Sequence, residues 1–254
     1  MLLRIDNLTI EYPDRFGNYR AVDKASLRLA RGEILGLVGE SGAGKSTIGN
    51  AIIGLLQSPG RIVAGTIEFQ GQRLDLLSQR EFSDVRGKKV GMIFQDPMTS
   101  LNPLETIGAQ LLETIALHSN LSRNDAKLRA IELLTDVGIA LPREKMSQFP
   151  HELSGGMRQR AVIALVLAGE PDLIIADEPT TALDVSIQAT ILELIRELCL
   201  KKNVGVILVT HDMGVIAETT DRVAVMYMGK IVEMEETKRL IKDPTHPYTR
   251  ALIS

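Results

Sequence analysis

Over the first thirty residues apolar and polar positions alternate. Leu3, Ile5, Leu8 and Ile10 are separated by polar residues, the pattern breaks at Pro13 and Gly17, and the period of two returns over residues 25–29. That period puts one face of an extended chain against a core, so it predicts antiparallel strands at an edge. The run Ile34-Leu35-Gly36-Leu37-Val38 is continuous instead. It ends in glycines and is followed by an amphipathic stretch over 46–56, which reads as buried strand, glycine loop, helix. Residues 62–69, with glycines at 60, 65 and 71, read as a strand pair, and 89–94 as another buried strand. From about 102 to 168 the spacing becomes helical: Ile107, Leu111, Leu112 and Ile115, then Leu128, Ile131, Leu133 and Leu134. Alternation resumes with strands at 173–176, 204–209 and 222–228 and helices at 186–200 and 214–219. The pattern therefore predicts a parallel α/β core with an inserted helical subdomain. No internal repeat or low-complexity tract interrupts it, and the stretch after Lys238 is turn-rich and leads into a helix start.

Composition narrows the function classes. The 254 residues are 44% hydrophobic and 24% charged, enough apolar surface for a sizeable core. Lys and Arg number 29 against 32 Asp and Glu, a net charge of −3, which argues against non-specific nucleic-acid binding. A single cysteine, Cys199, excludes an internal disulfide framework; its helix carries Ile191, Leu194, Ile195 and Leu198, so it reads as core filler. The longest apolar run, 161–168, falls short of the roughly 18 residues that span a bilayer, and the N-terminus lacks a secretory pattern. The expectation is a soluble or membrane-peripheral protein that is not secreted.

Three segments carry candidate chemistry. Gly39-Glu40-Ser41-Gly42-Ala43-Gly44-Lys45-Ser46 satisfies the P-loop pattern between a buried strand and a helix. There the glycines let backbone N–H groups face a phosphate, Lys45 can reach the β- and γ-phosphates, and the Ser46 hydroxyl can ligate Mg²⁺. Leu173-Ile174-Ile175-Ala176-Asp177-Glu178 is an apolar strand ending in two carboxylates. At the C-terminal end of a core strand, Asp177 can hold Mg²⁺ through water while Glu178 acts as general base or orients the water. Leu153-Ser154-Gly155-Gly156-Met157 is a Ser cap and two glycines opening a long helix, a second anion-binding terminus in one chain.

These three segments in this order resemble the ATP-binding subunits of ABC transporters, and the resemblance covers essentially the whole chain. It implies a P-loop NTPase of RecA-like α/β fold with an N-terminal antiparallel β subdomain and an inserted helical one. The core would occupy 1–95 and 165–235, the helical signature subdomain 96–164 and a C-terminal tail 236–254. It also implies site roles. Gln95 matches the glutamine loop that senses Mg²⁺ and the γ-phosphate. Ala182, Leu183 and Asp184 belong to a loop in which Thr181 replaces the usual Ser. His211 matches the switch histidine. Gly39, Ser41, Gly42, Gly44, Lys45, Ser46 and Thr47 would bind nucleotide, and Tyr12 would stack on adenine, with Phe16 and Tyr19 as competitors. His118, His151 and His246 read as structural imidazoles. Arg158 and Arg160 read as a solvated face or as intersubunit contacts.

In such a family the signature of one subunit closes over the ATP held by another, so one chain is half of each site. The resemblance thus implies ATP and Mg²⁺ as cofactors and a second ATPase subunit, non-identical or identical, as partner. Two membrane permease subunits and an extracellular or periplasmic solute-binding protein would complete the assembly, with no nucleic acid involved. The chain would sit on the cytoplasmic face of a bacterial inner membrane. The segments 94–103 and 246–252 are similar to those of the oligopeptide, dipeptide and nickel importer subfamily, which implies uptake of peptides, nickel, glutathione or opines. Members often continue into a cysteine-rich extension that can hold an iron–sulfur cluster, and no such cysteines precede the end at Ser254, so that module is expected to be removed or lacking. A soluble ABC-type ATPase acting on ribosomes or DNA is the alternative, although such proteins usually carry fused cassettes or a long coiled coil. A P-loop GTPase or small-molecule kinase would leave 153–157 unexplained and would call for an Asn-Lys-x-Asp motif, which is absent.

Overall fold

A computed structural model of the chain describes residues 1–15, 17–181 and 183–253; Phe16, Ala182 and Ser254, which figure in the expectations above, lie outside the described residues. The chain divides into two units, 1–86 with 198–254, and 87–197.

The first unit begins with the expected antiparallel strands, β1 (Leu3–Asp14) and β2 (Gly17–Leu29), but only β2 lies at a sheet edge, because β1 is paired on its other side as well. Next come β3 (Ile34–Val38) and α1 (Lys45–Ile52), with β3 buried at every position, as its unbroken apolar run requires. The stretch expected to be a strand pair over 62–69 is one strand, β4 (Arg61–Phe69), antiparallel to β1. The physical reason lies at Gly65. Its φ is +87° and a Cβ there would stand 2.4 Å from the Asn7 carbonyl oxygen, so the glycine accommodates a register shift within a strand instead of closing a turn. The hairpin partner is the short β5 (Gln72–Arg73), followed by α2 (Gln79–Phe82).

The second unit pairs β6 (Val90–Ile93) in parallel with β7 (Leu173–Asp177), Val90 opposite Leu173. Between these strands run α3 (Pro97–Ser100), α4 (Ile107–His118), α5 (Arg123–Asp136), α6 (Pro142–Lys145) and α7 (Gly155–Ala168), the expected helical block. The helix starts are set locally: the side chains of Thr106, Ser122 and Ser154 accept N–H bonds from Ala109, Asp125 and Met157, each satisfying an orphan donor of α4, α5 or α7. Arg158 and Arg160 are half-buried and spend their guanidinium groups on backbone carbonyls, Leu153 (3.0 Å) and Val137. That corrects their reading as a solvated face, since helix ends leave carbonyls that a fork-shaped donor satisfies. Helix α8 (Val185–Lys202) then carries the chain back to the first unit.

There β8 (Gly205–Thr210) and β9 (Arg222–Tyr227) flank β3 in parallel, with α9 (Met213–Thr219) between them in sequence. Cys199 is buried, its thiol lies 2.9 Å from the Val204 carbonyl, and burial pushes it up to about 11, so it is inert filler as expected. Strand β10 (Lys230–Glu236), antiparallel to β9, and helix α10 (Thr237–Lys242) were not foreseen. The helix start expected in the tail is α11 (Pro247–Ile253).

Arg86 ties the end of α1 to the rest of this unit. Its Nε and Nη2 donate to the carbonyls of Ile53 and Gly54 at 2.8 Å each, and its guanidinium lies 5.2 Å from the Phe82 ring centre. Arg86→Ala should lower unfolding stability by about 1–3 kcal/mol in urea titrations, and Arg86→Lys should recover little because a point charge cannot bridge both carbonyls. A second constraint is the Glu233 carboxylate, which accepts from Thr245 N (2.8 Å), Thr245 Oγ1 (2.8 Å) and His246 N (3.0 Å). Burial alone would raise it. The Thr249 hydroxyl, buried outside strict hydrogen-bond geometry, adds its dipole to these donors, and together they lower the carboxyl from 4.5 to about 2. A depressed carboxylate stabilises above its unfolded value, so the stability difference between wild type and Glu233→Gln should be full at pH 6. It should fade as pH falls from about 4.5 toward 2, read by paired denaturation curves.

Candidate functional site

In the first unit the loop between β3 and α1 is shaped by close backbone approach. Gly39, Gly42 and Gly44 all have positive φ, at +152°, +81° and +102°. A Cβ on Gly39 would stand 2.2 Å from the Met226 carbonyl oxygen, and one on Gly44 would stand 2.4 Å from that of Ala21, so β9 and β2 press on the loop at just these positions. The loop's own bonds, Ala43 N to Glu40 O (3.1 Å) and Gly229 N to Ala43 O (3.1 Å), hold the turn. Lys45 opens α1 and is 5% exposed, with its Nζ donating to the carbonyls of Gly39 (2.7 Å) and Glu40 (2.9 Å). A buried ammonium that donates to backbone carbonyls is a cation for which an anion can take over those partners. Ser46 is exposed and Thr47 half-buried on the same first turn, beside the open helix N-terminus.

The aromatics divide. Tyr12 and Tyr19 are cross-strand partners on β1 and β2. Tyr12 is half-buried with its ring against Gly60, whose added Cβ would meet Tyr12 Cε1 at 2.5 Å. Tyr19 is 58% exposed and lines a depression of about 420 Å³ together with Arg20, Tyr227 and loop residues 40–43. His211 follows β8 and is exposed. Its neighbour Asp212 caps α9 through Gly214 N (2.7 Å) and Val215 N (3.3 Å), which fixes the backbone on which His211 stands. Beyond the expected residues, the loop receives Tyr248 of α11, whose hydroxyl oxygen accepts from Glu40 N at 2.9 Å. Sequence reading met Tyr248 only as part of the 246–252 segment, and no local pattern announces a contact 208 residues away.

In the second unit the ends of β6 and β7 bring Gln95, Asp177 and Glu178 together. Glu178 Oε2 accepts from Gln95 Nε2 (3.2 Å) and from Thr181 Oγ1 (2.9 Å). Glu178 is half-buried and its φ is +46°, a left-handed state uncommon outside glycine that turns its carboxylate off the strand line. Thr181, the substitution for the usual Ser, keeps a hydroxyl and uses it. Ser154 and Gly155 are exposed at the start of α7, Met157 is half-buried, Leu153 is buried, and Gly156 is buried against Ile187 of α8. Leu183 lies over Gly155, where an added Cβ would meet Leu183 Cδ2 at 3.5 Å; Asp184 is exposed. Gln159, one turn into α7, has both side-chain polar atoms buried without a hydrogen-bond partner among the described residues.

The donor set suits a hard cation. In the second unit the Gln95 amide and the Asp177 carboxylate offer oxygen, and no group of three or more His, Cys, Asp or Glu able to hold a metal occurs among the described residues. Mg²⁺ typically takes one or two protein oxygens and the rest from phosphates and water, so this set fits it.

The sequence profile of the ABC transporter family matches residues 22–181. Among curated proteins the chain is 47% identical over 252 residues to the dipeptide transport ATP-binding protein DppD of Escherichia coli K12, covering 99% of this chain and 77% of DppD. It is 50% identical over 254 residues to the oligopeptide transport ATP-binding protein OppD of Bacillus subtilis 168, covering 100% of this chain and 71% of OppD. Among solved structures it superposes with a TM-score of 0.82, at 28% identity, on the ATP-binding cassette MJ0796, seen as a dimer in a post-hydrolysis state bound to ADP and Pi, over 93% of this chain and 99% of that one. The cbiO1 protein from Clostridium perfringens, part of the ABC transporter complex cbiONQ, gives a TM-score of 0.82 at 26% identity, over 95% and 91% of the two chains. The chain belongs to the ABC transporter family, as one of its ATP-binding, ATP-hydrolysing subunits.

Proposed function

We propose that this chain drives an importer of peptides or of a related small solute such as a nickel chelate, glutathione or an opine, working at the cytoplasmic face of a bacterial inner membrane. The observation that carries the reading is the likeness to DppD and OppD along 99–100% of this chain and 71–77% of theirs. Two permease subunits and a solute-binding protein outside the membrane complete the machine, and the second ATPase is a non-identical paralogue. No helix among the described residues is long and apolar enough to cross a membrane, in keeping with a subunit that works through permeases. The second unit exposes Leu104 (84%) and Leu117 (74%), apolar side chains of the kind that favour a protein partner.

Residues 39–47 receive the β- and γ-phosphates, Lys45 exchanging its two carbonyls for phosphate oxygens, and Tyr12 with Tyr19 opposite it supplies an aromatic face for adenine. Ser46, Gln95 and Asp177 would hold Mg²⁺, whose charge would offset that of the phosphates. Glu178 takes the proton of the attacking water, oriented by Gln95 and Thr181, while His211 contacts the γ-phosphate. The exposed Ser154–Gly155 helix start, backed by Leu153, Gly156 and Met157, contributes N–H groups to the nucleotide of the partner subunit, and Leu183 and Asp184 line that seam.

Glu178→Gln should lower ATP turnover in the assembled transporter by on the order of 10²–10⁴ while leaving ATP affinity within a few-fold; unchanged turnover removes Glu178 as the base. Ser154→Arg should leave ATP affinity of the separate subunit intact and abolish ATP-dependent pairing in light-scattering experiments, and persistent pairing would contradict a shared site. Uptake of labelled dipeptide, nickel and glutathione by vesicles bearing the whole assembly decides the cargo, and peptide is expected to win.

A further inference from the structure

We propose that Tyr248 is a positioning residue of the phosphate loop, holding the Gly39–Glu40 peptide in place when Lys45 lets go of it; this rests on the reading that residues 39–47 hold the triphosphate. The Gly39–Glu40 peptide is gripped at both ends. Its carbonyl accepts from Lys45 Nζ at 2.7 Å, and its N–H donates to the Tyr248 hydroxyl at 2.9 Å. For Lys45 to reach a γ-phosphate its ammonium must leave that carbonyl, and it must leave the Glu40 carbonyl at 2.9 Å as well. The bond to Tyr248 does not have to break. It remains as the restraint that keeps the strand-to-loop corner, and the N–H groups after it, in the open cradle. A loop freed at that corner would have to be ordered again at each binding event, at an entropic cost that weakens affinity.

Tyr248 is itself held. Its ring lies 4.4 Å from that of Tyr227 at 37°, and Tyr248, Leu252 and Ile253 pack on the buried Val38, Val223 and Val225, the strands on either side of the loop's base. The segment leading to it is pinned by Glu233 through Thr245 and His246, and Arg250 Nε donates to the Pro244 carbonyl at 2.8 Å. Burial raises the phenol's pKa against the opposing pull of the Glu40 N–H, so the hydroxyl stays a neutral acceptor at physiological pH. Docking of 244–253 and readiness of the phosphate loop are thereby one event.

Tyr248→Phe keeps the ring and deletes the hydroxyl. Calorimetric titration of the full chain with Mg²⁺ and ATP should show affinity weakened by about 2- to 10-fold, the loss of one hydrogen bond. In the assembled transporter the KM for ATP should rise by the same factor while turnover at saturating ATP holds, a split that mere destabilisation would not produce. Amide exchange at Glu40 in the nucleotide-free chain should also quicken with the melting temperature unchanged, a readout independent of ATP. Wild-type affinity together with wild-type Glu40 exchange overturns the proposal. Lys45→Ala in the same titration separates the two readings: if it binds ATP normally, the phosphate-loop assignment fails and this inference with it, whereas lost binding in Lys45→Ala beside normal binding in Tyr248→Phe removes only Tyr248. Should Tyr248→Phe fold poorly, Glu233→Gln, which loosens the same segment from outside the loop, must raise the KM likewise, and an unchanged KM there counts against the coupling.

Discussion

The glycine loop of the first unit depends on a buried ammonium and the backbone that surrounds it. Lys45 sits at 5% exposure and donates to two carbonyls, a burial that the loop supports by winding so that both oxygens point at Nζ. That winding needs Gly39 and Gly44 in conformations closed to larger residues, and it needs Met226 and Ala21 pressed against them. Ala21 belongs to the antiparallel sheet and Met226 to the parallel strands, so two sheets with different construction rules meet at one loop. Gly229 joins them, accepting from Asp23 N at 2.8 Å and donating to the Ala43 carbonyl at 3.1 Å. The antiparallel sheet is therefore part of what shapes the glycine loop.

The second unit uses a different device. Asp177 and Glu178 follow one another at a strand end, where an extended backbone would point them to opposite faces. The left-handed turn at Glu178 breaks that alternation, and the Gln95 amide and Thr181 hydroxyl then hold the carboxylate by one oxygen. Oε2 of Glu178 is thus engaged in orienting the carboxylate. Backbone strain at a single residue sends two adjacent carboxylates in different directions, which is what the proposed division into a metal-holding and a proton-accepting group requires.

How much of this was legible follows from the range of each interaction. The phosphate loop, the Ser154 cap and the strand ending in Asp177 are local, so fixed spacings of Gly, Lys, Ser and Asp announce them. The helical block was equally plain, because α4 and α5 bury one face each. Strand β10 escaped notice because its residues, Lys230 to Glu236, are half-buried or exposed and its existence depends on pairing with β9. Gly65 misled for the same reason: only the opposing Asn7 turns a probable turn glycine into a register shift. The use of Arg160 on the Val137 carbonyl and of Tyr248 on Glu40 likewise depends on tertiary neighbours that no window of sequence contains. The resemblance singles out Tyr12, and Tyr19, its cross-strand partner on the same sheet face, shares a depression with the loop, a pairing that only the strand register reveals.

A triphosphate brings about four negative charges, and among the loop residues described here Lys45 is the one cation, with helix and loop N–H groups adding partial charge. Such a cradle can hold ATP but leaves much of its charge facing water. The start of α7 offers the complementary feature, N–H groups at an exposed Ser154 and Gly155 whose floor is sealed by Gly156 on Ile187. On the proposed reading these donors serve the nucleotide of a second subunit, so attraction between the two halves exists only while the full charge of ATP lies between them and falls when phosphate departs. The sensitivity of the assembly to hydrolysis then comes from dividing the donors between two chains. A subunit that enclosed its own ATP completely would bind it more tightly and have nothing left with which to move a partner.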